Sequence, residues 1–248
     1  MSHSLAFTTP VGTPWTERTV GELVAERPGR SRVFQSFRID FCCQGARTLG
    51  EACARVGIST ATVIEQLEAE AAHREPSGPN PAELPATELA KYITSTHHEY
   101  LRREFPRLHA MAEKVARVHG GHTPSLSQVF EIYQTLEAEL LDHLAKEEQI
   151  LFPAIRALAA GQTVPLPLDG PITCMMHEHE EAGEALRQLR ELTHDFQTPA
   201  DACNTYRALF AGLADLEADL HRHIHLENSV LFPAARALAT HLNPGSAS

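Results

Sequence analysis

Apolar positions recur at three- and four-residue steps along most of the chain, and no stretch shows the period of two that a half-buried strand needs. The pattern predicts an all-α protein. From about Thr16 to His73 the helical patterns are short and broken by turn signals such as Pro28-Gly29. One of them opens on a capping box, Thr48 with Glu51, ahead of an apolar face. A small helical domain is therefore expected over 16–73. The next segment, REPSGPNPAELP, crowds Pro76, Pro79, Pro81 and Pro85 around Gly78, a composition that extends the backbone and reads as an inter-domain linker.

Four longer helical patterns follow: Thr87 to Val118, Ser125 to Ala159, Ile172 to Thr193 and Pro199 to Ala239. They are separated by Gly120-Gly121 with Pro124, by GQTVPLPLDGP, and by Thr198-Pro199 read as cap and first turn. Short connections make neighbouring helices antiparallel, so an antiparallel four-helix bundle is expected over 86–243.

The second half of this region repeats the first. HLAKEEQILFPAIRALA from His143 recurs 80 residues later as HIHLENSVLFPAARALA from His223. Upstream, Val129, Tyr133, Leu136, Leu140, His143, Glu147 and Leu151 correspond to Leu209, Leu213, Leu216, Leu220, His223, Glu227 and Leu231. On a helix these positions fall within ~40° of one line, the stripe that faces a core. A histidine and a glutamate one turn apart have thus been written into a buried stripe twice. A buried carboxylate without a partner costs several kcal/mol, so such groups are paired or bind metal.

The other two patterns supply further histidines. HEYLRREFPRL from His98 and HEEAGEALRQL from His179 share His-Glu and a leucine ten residues on, at an offset of 81. Each half then reads His, about 44 residues, and His-x-x-x-Glu. His98, His143, His179 and His223 with Glu147 and Glu227 predict a pseudo-symmetric site in which the glutamates bridge two metals and each metal receives two imidazoles. Nitrogen and oxygen donors without thiolates disfavour soft ions, and a carboxylate-bridged pair in a bundle favours iron, then manganese or zinc.

Helical phase separates these residues from their neighbours. A two-residue step turns a side chain by ~200°, so His177, His221 and His225 are expected to face solvent, as is His97, which stands off the stripe. His109 is expected no nearer than a second layer around the metals. Glu139 and Glu178 stand within a turn of His143 and His179, where they read as proton donors or as lining of an access path, or as ordinary solvated acids. Pro153 and Pro233 each remove a helix hydrogen bond, which predicts a bend near the site.

Charge and cysteine content narrow the setting. With 32 acidic against 21 basic residues the net charge is −11, which repels nucleic acid and anionic membrane surfaces. No basic start leads into an apolar run, and five irregularly spaced cysteines do not make a disulfide framework, so a cytoplasmic protein is expected. The vicinal pair Cys42-Cys43 in DFCCQGARTL lies between a helical pattern and a turn glycine. Thiols at a helix entry have lowered pKa and raised reactivity, which makes the pair a candidate for redox chemistry or client contact. The alternative is two cysteines packed in the small helical unit.

DFCCQGARTL, followed in order by HHEYLRREFPRL, HLAKEEQILFP, HEHEEAGE and HIHLENSVLFP, resembles the iron-sulfur cluster repair family of di-iron proteins, the YtfE and ScdA group. The resemblance covers nearly the whole chain. It implies a hemerythrin-like bundle behind a short cysteine-bearing domain, with two non-haem, carboxylate-bridged irons held by His98, His143, His179 and His223 as terminal ligands and Glu147 and Glu227 as bridges. It also implies a role in restoring iron-sulfur centres under nitrosative and oxidative stress, with damaged iron-sulfur proteins as clients and nitric oxide or oxygen as small ligand. Two other expectations stand beside it: a sensor or store for those diatomic ligands, and a nitric-oxide or nitrite reductase. The turn reads CCQG where relatives often have CCGG. Fewer histidines than in hemerythrin itself argue against a pure oxygen carrier.

Overall fold

The computed structural model describes residues 13–72, 80–164 and 167–242. His73, Pro76, Gly78, Pro79, Pro165 and position 243, named above, lie outside the described residues. Within them every regular element is helical, and the only extended pairing is an isolated bridge between Thr19 and Thr48. The chain is all-α. Among the described residues no helix is long and apolar enough to cross a membrane.

Four short helices come first: α1 (Val20–Glu26), α2 (Arg30–Ser36), α3 (Leu49–Val56) and α4 (Thr60–Ala71). The Thr48-Glu51 capping box starts α3 as its sequence predicts. A second box, Thr19 with Glu22, starts α1 in the same way and was passed over in the sequence. Four long helices follow: α5 over 86–119, α6 over 125–159, α7 (Asp169–Leu192) and α8 over 204–242. α8 begins at Asn204 and not at Pro199. The guanidinium of Arg207 donates to the carbonyls of Ala200 and Ala202 at 2.8 and 3.1 Å, which holds the preceding residues in a turn against the first helical residues.

Three long helices contain a π turn, Thr94–His98 in α5, Glu147–Leu151 in α6 and Glu227–Leu231 in α8. The latter two stand directly before Phe152-Pro153 and Phe232-Pro233, and the carbonyls of Glu147 and Glu227 accept from the N–H groups of Phe152 and Phe232, five residues on. Proline lacks an N–H and crowds the carbonyl four residues earlier, and the wider turn accommodates both effects. The irregularity expected at the prolines thus takes the form of a π turn that begins on the glutamate itself.

The chain divides into two compact units. One contains Tyr92–Pro153 and Gly170–His221, parts of all four long helices. Its core gathers Phe105, Leu108, Tyr133, Leu136, Leu186 and Leu213, all essentially inaccessible to solvent. Burying each such side chain contributes roughly 1.5–3 kcal/mol. Tyr133 Oη donates to the Phe105 carbonyl at 3.0 Å, so its one polar atom is satisfied inside that core. A Cβ at Gly212 would stand 2.5 Å from Leu108, so the missing side chain lets α8 approach α5 closely.

The other unit contains Met1–Lys91, Ala154–Asp169 and Arg222–Ser248. Here α1 to α4 bury Phe34, Phe41, Leu49, Val63 and Leu67, and Ile224 of α8 belongs to the same apolar cluster. The N-terminal helices and the second half of α8 therefore fold together. Gly21 donates its N–H to the Gly45 carbonyl at 2.9 Å. A Cβ on Gly21 would meet Ser229 Oγ at 2.8 Å, and one on Gly45 would meet it at 2.9 Å.

Candidate metal centre

All fourteen positions of the two predicted stripes are buried, none more than 4% exposed. In the first unit His98 comes from the π turn of α5, His143 and Glu147 from α6, and His179 from α7. Each is essentially inaccessible. His98 Nε2 lies 3.4 Å and His143 Nε2 3.5 Å from the Glu147 carboxylate, on different oxygens. His143 and His179 bring their Nε2 atoms to 3.1 Å of each other. Two nitrogens bound to one cation at about 2.1 Å stand about 3.0 Å apart when they subtend a right angle. The donor set and its spacing fit a transition-metal ion.

The outward nitrogens are held by carboxylates. His98 Nδ1 donates to Glu148 at 2.7 Å, and Arg102 also reaches Glu148, at 2.9 Å. His143 Nδ1 donates to Glu178 at 2.7 Å, and Lys146 donates to the other oxygen of Glu178 at 2.7 Å. Burial pushes both carboxyls up, but Arg102 and His98 at Glu148, and Lys146 and His143 at Glu178, outweigh it and hold them below the ordinary range. An ionised acceptor on Nδ1 fixes the tautomer, aims Nε2 inward and raises its basicity, as metal-ligating histidines require.

Glu178 is one of the two acids singled out beside the site. The other, Glu139, is exposed and lines a cavity of about 120 Å³ with Asp142, His143, Lys146, Glu178 and Glu181. His143 forms part of the wall of this cavity. Glu148 was missed in the sequence. It directly follows Glu147, a step of ~100° that places it on the flank of the buried stripe.

In the second unit His223 and Glu227 lie one turn apart on α8, fully buried, with Nε2 3.1 Å from the carboxylate. His225, expected to face solvent, is buried there against the edge of the Phe41 ring at a centroid distance of 5.7 Å. Burial pushes its pKa down to about 4, with the Phe41 backbone opposing. The expectation failed because α8 has a second covered face, under the N-terminal helices.

His97 is likewise buried and not at the surface: its Nδ1 pairs with Asp219 at 3.0 Å. It belongs to the π turn, where successive side chains are rotated by less than the ~100° of an α-helix, and both His97 and His98 turn inward. His177 is exposed as expected, at 70% of its side chain, and His221 is half-buried. His109 bonds Glu137 at 2.5 Å.

Cys42 and Cys43 do not stand at a helix entry. They occupy a turn ahead of α3, with Sγ atoms 3.7 Å apart and no disulfide. The hydrogen bond between its S–H and Cys43, burial, and the negative charges of Cys43 and Asp40 raise the Cys42 thiol well above its ordinary value, opposite to the direction expected from the sequence.

Comparison with known proteins accords with this geometry. The model described as the Hemerythrin HHE cation binding domain matches residues 89–235, and ScdA_N, described as a domain of unknown function, matches 16–71. The chain is 38% identical over 221 residues to the iron-sulfur cluster repair protein YtfE of Musicola paradisiaca, covering 89% of this chain and 97% of that one. It is 36% identical over 216 residues to the iron-sulfur cluster repair protein ScdA of Staphylococcus haemolyticus, covering 87% and 96%. With YtfE of Escherichia coli O17:K52:H18 it shares 37% identity over 226 residues, covering 90% and 98%. Two buried His/Glu groupings, the cation-binding model and near full-length similarity lead to one assignment: the chain belongs to the YtfE and ScdA family of iron-sulfur cluster repair proteins, with a hemerythrin-type domain for a non-haem metal.

Proposed function

We propose that this protein repairs iron-sulfur clusters damaged by oxidative and nitrosative stress in the cytoplasm, using two non-haem irons held by His98, His143, Glu147, His179, His223 and Glu227. The observation that carries the reading is the repeated, fully buried His-x-x-x-Glu pair. The names of the relatives support the repair role. Glu147 and Glu227 would hold the irons through their carboxylates, and the four histidines through ring nitrogens. Six side chains shared between two ions leave coordination positions open. Iron there would supply one-electron redox chemistry and a place for nitric oxide or oxygen to bind.

The chain's own residues provide the rest. Glu148 and Glu178 hold the His98 and His143 rings in the ligating tautomer. The apolar stripe on either side of His143 keeps the donors dry, and Phe152 stacks on the His98 ring at 5.8 Å. The acidic side chains of the cavity at His143 would favour the passage of a cation toward a client.

The test begins with iron per chain in freshly purified protein. The iron-loaded protein is then mixed with an apo iron-sulfur protein, while metal transfer and client activity are followed. Transfer with restored activity supports donation, and iron that never leaves overturns it. A stable nitrosyl complex without product would instead mark a sensor or store, and sustained nitrous oxide formation with a reductant a nitric-oxide reductase.

A further inference from the structure

A second group of ligating side chains lies in the turn before α3. Cys42 Sγ stands 3.7 Å from Cys43 Sγ and 3.3 Å from Asp40 Oδ1. Two thiolates bound to one tetrahedral ion at about 2.3 Å are separated by about 3.8 Å, and a thiolate and a carboxylate oxygen by about 3.5 Å. The three donor atoms are thus spaced as the ligands of a single cation would be.

The turn is held in that form by bonds other than those between the donors. Asp40 Oδ1 accepts the backbone N–H groups of Cys42, Cys43 and Gln44 at 3.1, 2.9 and 3.3 Å, which fixes the carboxylate over the turn. Asn228 donates to the Cys42 carbonyl at 3.1 Å, and the Phe41 ring packs on His225. Both contacts come from the stretch of α8 that carries Glu227. Cys42 is buried, Cys43 half-buried and Asp40 exposed, so the group is anchored on one side and reachable from solvent on the other.

We infer that Asp40, Cys42 and Cys43 form a separate cation site, suited to a thiophilic divalent ion of the zinc or ferrous class. Thiolate donors select such ions over magnesium or calcium. Three protein ligands leave a fourth tetrahedral position for water or for a thiolate of another protein, an arrangement suited to exchange and not to permanent storage. Binding displaces the two thiol protons to solvent. The inference goes beyond the iron centre proposed above and does not depend on it.

The probe is Co²⁺, added to the full-length chain in a Cys174→Ser, Cys203→Ser background that removes the exposed thiols. The expected result is a thiolate-to-cobalt charge-transfer band that saturates at about one ion per chain, as a single three-ligand site requires. Cys43→Ser should abolish the band. Asp40→Asn, which leaves both thiols in place, should weaken binding about tenfold or more. The band should survive Glu147→Ala with Glu227→Ala, which separates this site from the iron centre. Helix content by circular dichroism confirms that each variant is folded. No thiolate band in the background protein, a band unchanged by Cys43→Ser, or its loss from a folded Glu147→Ala, Glu227→Ala protein would each overturn the inference.

Discussion

The two copies of the His-x-x-x-Glu segment share an inner face and differ on the outer one. Inside, Val129 to Leu151 and Leu209 to Leu231 are buried at every corresponding position. Outside, the first copy carries Ala145, Lys146, Glu148, Gln149 and Ile150 where the second carries His225, Leu226, Asn228, Ser229 and Val230. Ile150 is 57% exposed and its counterpart Val230 only 8%. The first copy uses its outer charges on the site itself, with Glu148 on His98 and Lys146 on Glu178. In the second, Asn228 bonds the Cys42 carbonyl and His225 packs on Phe41. A pair of ligands constrains only the stripe it sits on, and the opposite face of each copy is at liberty to specialise.

The inner equivalence makes the largest prediction. If both copies contribute alike, Glu147→Ala and Glu227→Ala each weaken iron binding to the same degree, by more than about tenfold, and the double variant binds none. Elemental analysis of folded protein decides this, and unequal losses would break the symmetry. The outer difference predicts that Phe41→Ala costs about 3–5 kcal/mol of stability in denaturant titration, as large core truncations do. Bound iron in the folded fraction should not change.

On the first copy, Glu148→Ala and Glu178→Ala should each lower metal affinity by about ten- to a hundredfold in chelator competition, with little change in melting temperature. An unchanged affinity would mean that the Nδ1 bonds do not orient the rings. The smallest effects come from the matched outer positions. Asn228→Ala should cost about 1 kcal/mol by loss of its bond to Cys42, whereas Ile150→Gln should stay within about 0.5 kcal/mol of zero. Equal costs at the two positions would erase the contrast.

Much of this was legible in the sequence, because a buried stripe imposes its period on every turn of a helix. The all-α class and the burial of His98, His143, Glu147, His179, His223 and Glu227 follow from that period, and the capping box at Thr48 from the Thr-x-x-Glu spacing. What was not legible arose where the period is broken or where a helix has two covered faces. His97 turned inward because of a π turn that no proline announces. His225 was misjudged because the phase of α8 specifies one buried face, while the cover on the other comes from residues far away in sequence. The Cys42 thiol moved opposite to expectation because its neighbours are a second thiol and a carboxylate, not the N-terminus of a helix.

The seat of Ser229 against Gly21 and Gly45 has a consequence for how this chain tolerates change. Two hydrogen atoms stand where every other residue has a carbon, and the loop that follows the thiols nests at the depth those hydrogens allow. Adding one methyl group at Gly21 inserts a wedge between loop and helix while leaving every donor and acceptor in the sequence intact. The closeness of that fit is set by what is missing from the chain as much as by what it contains.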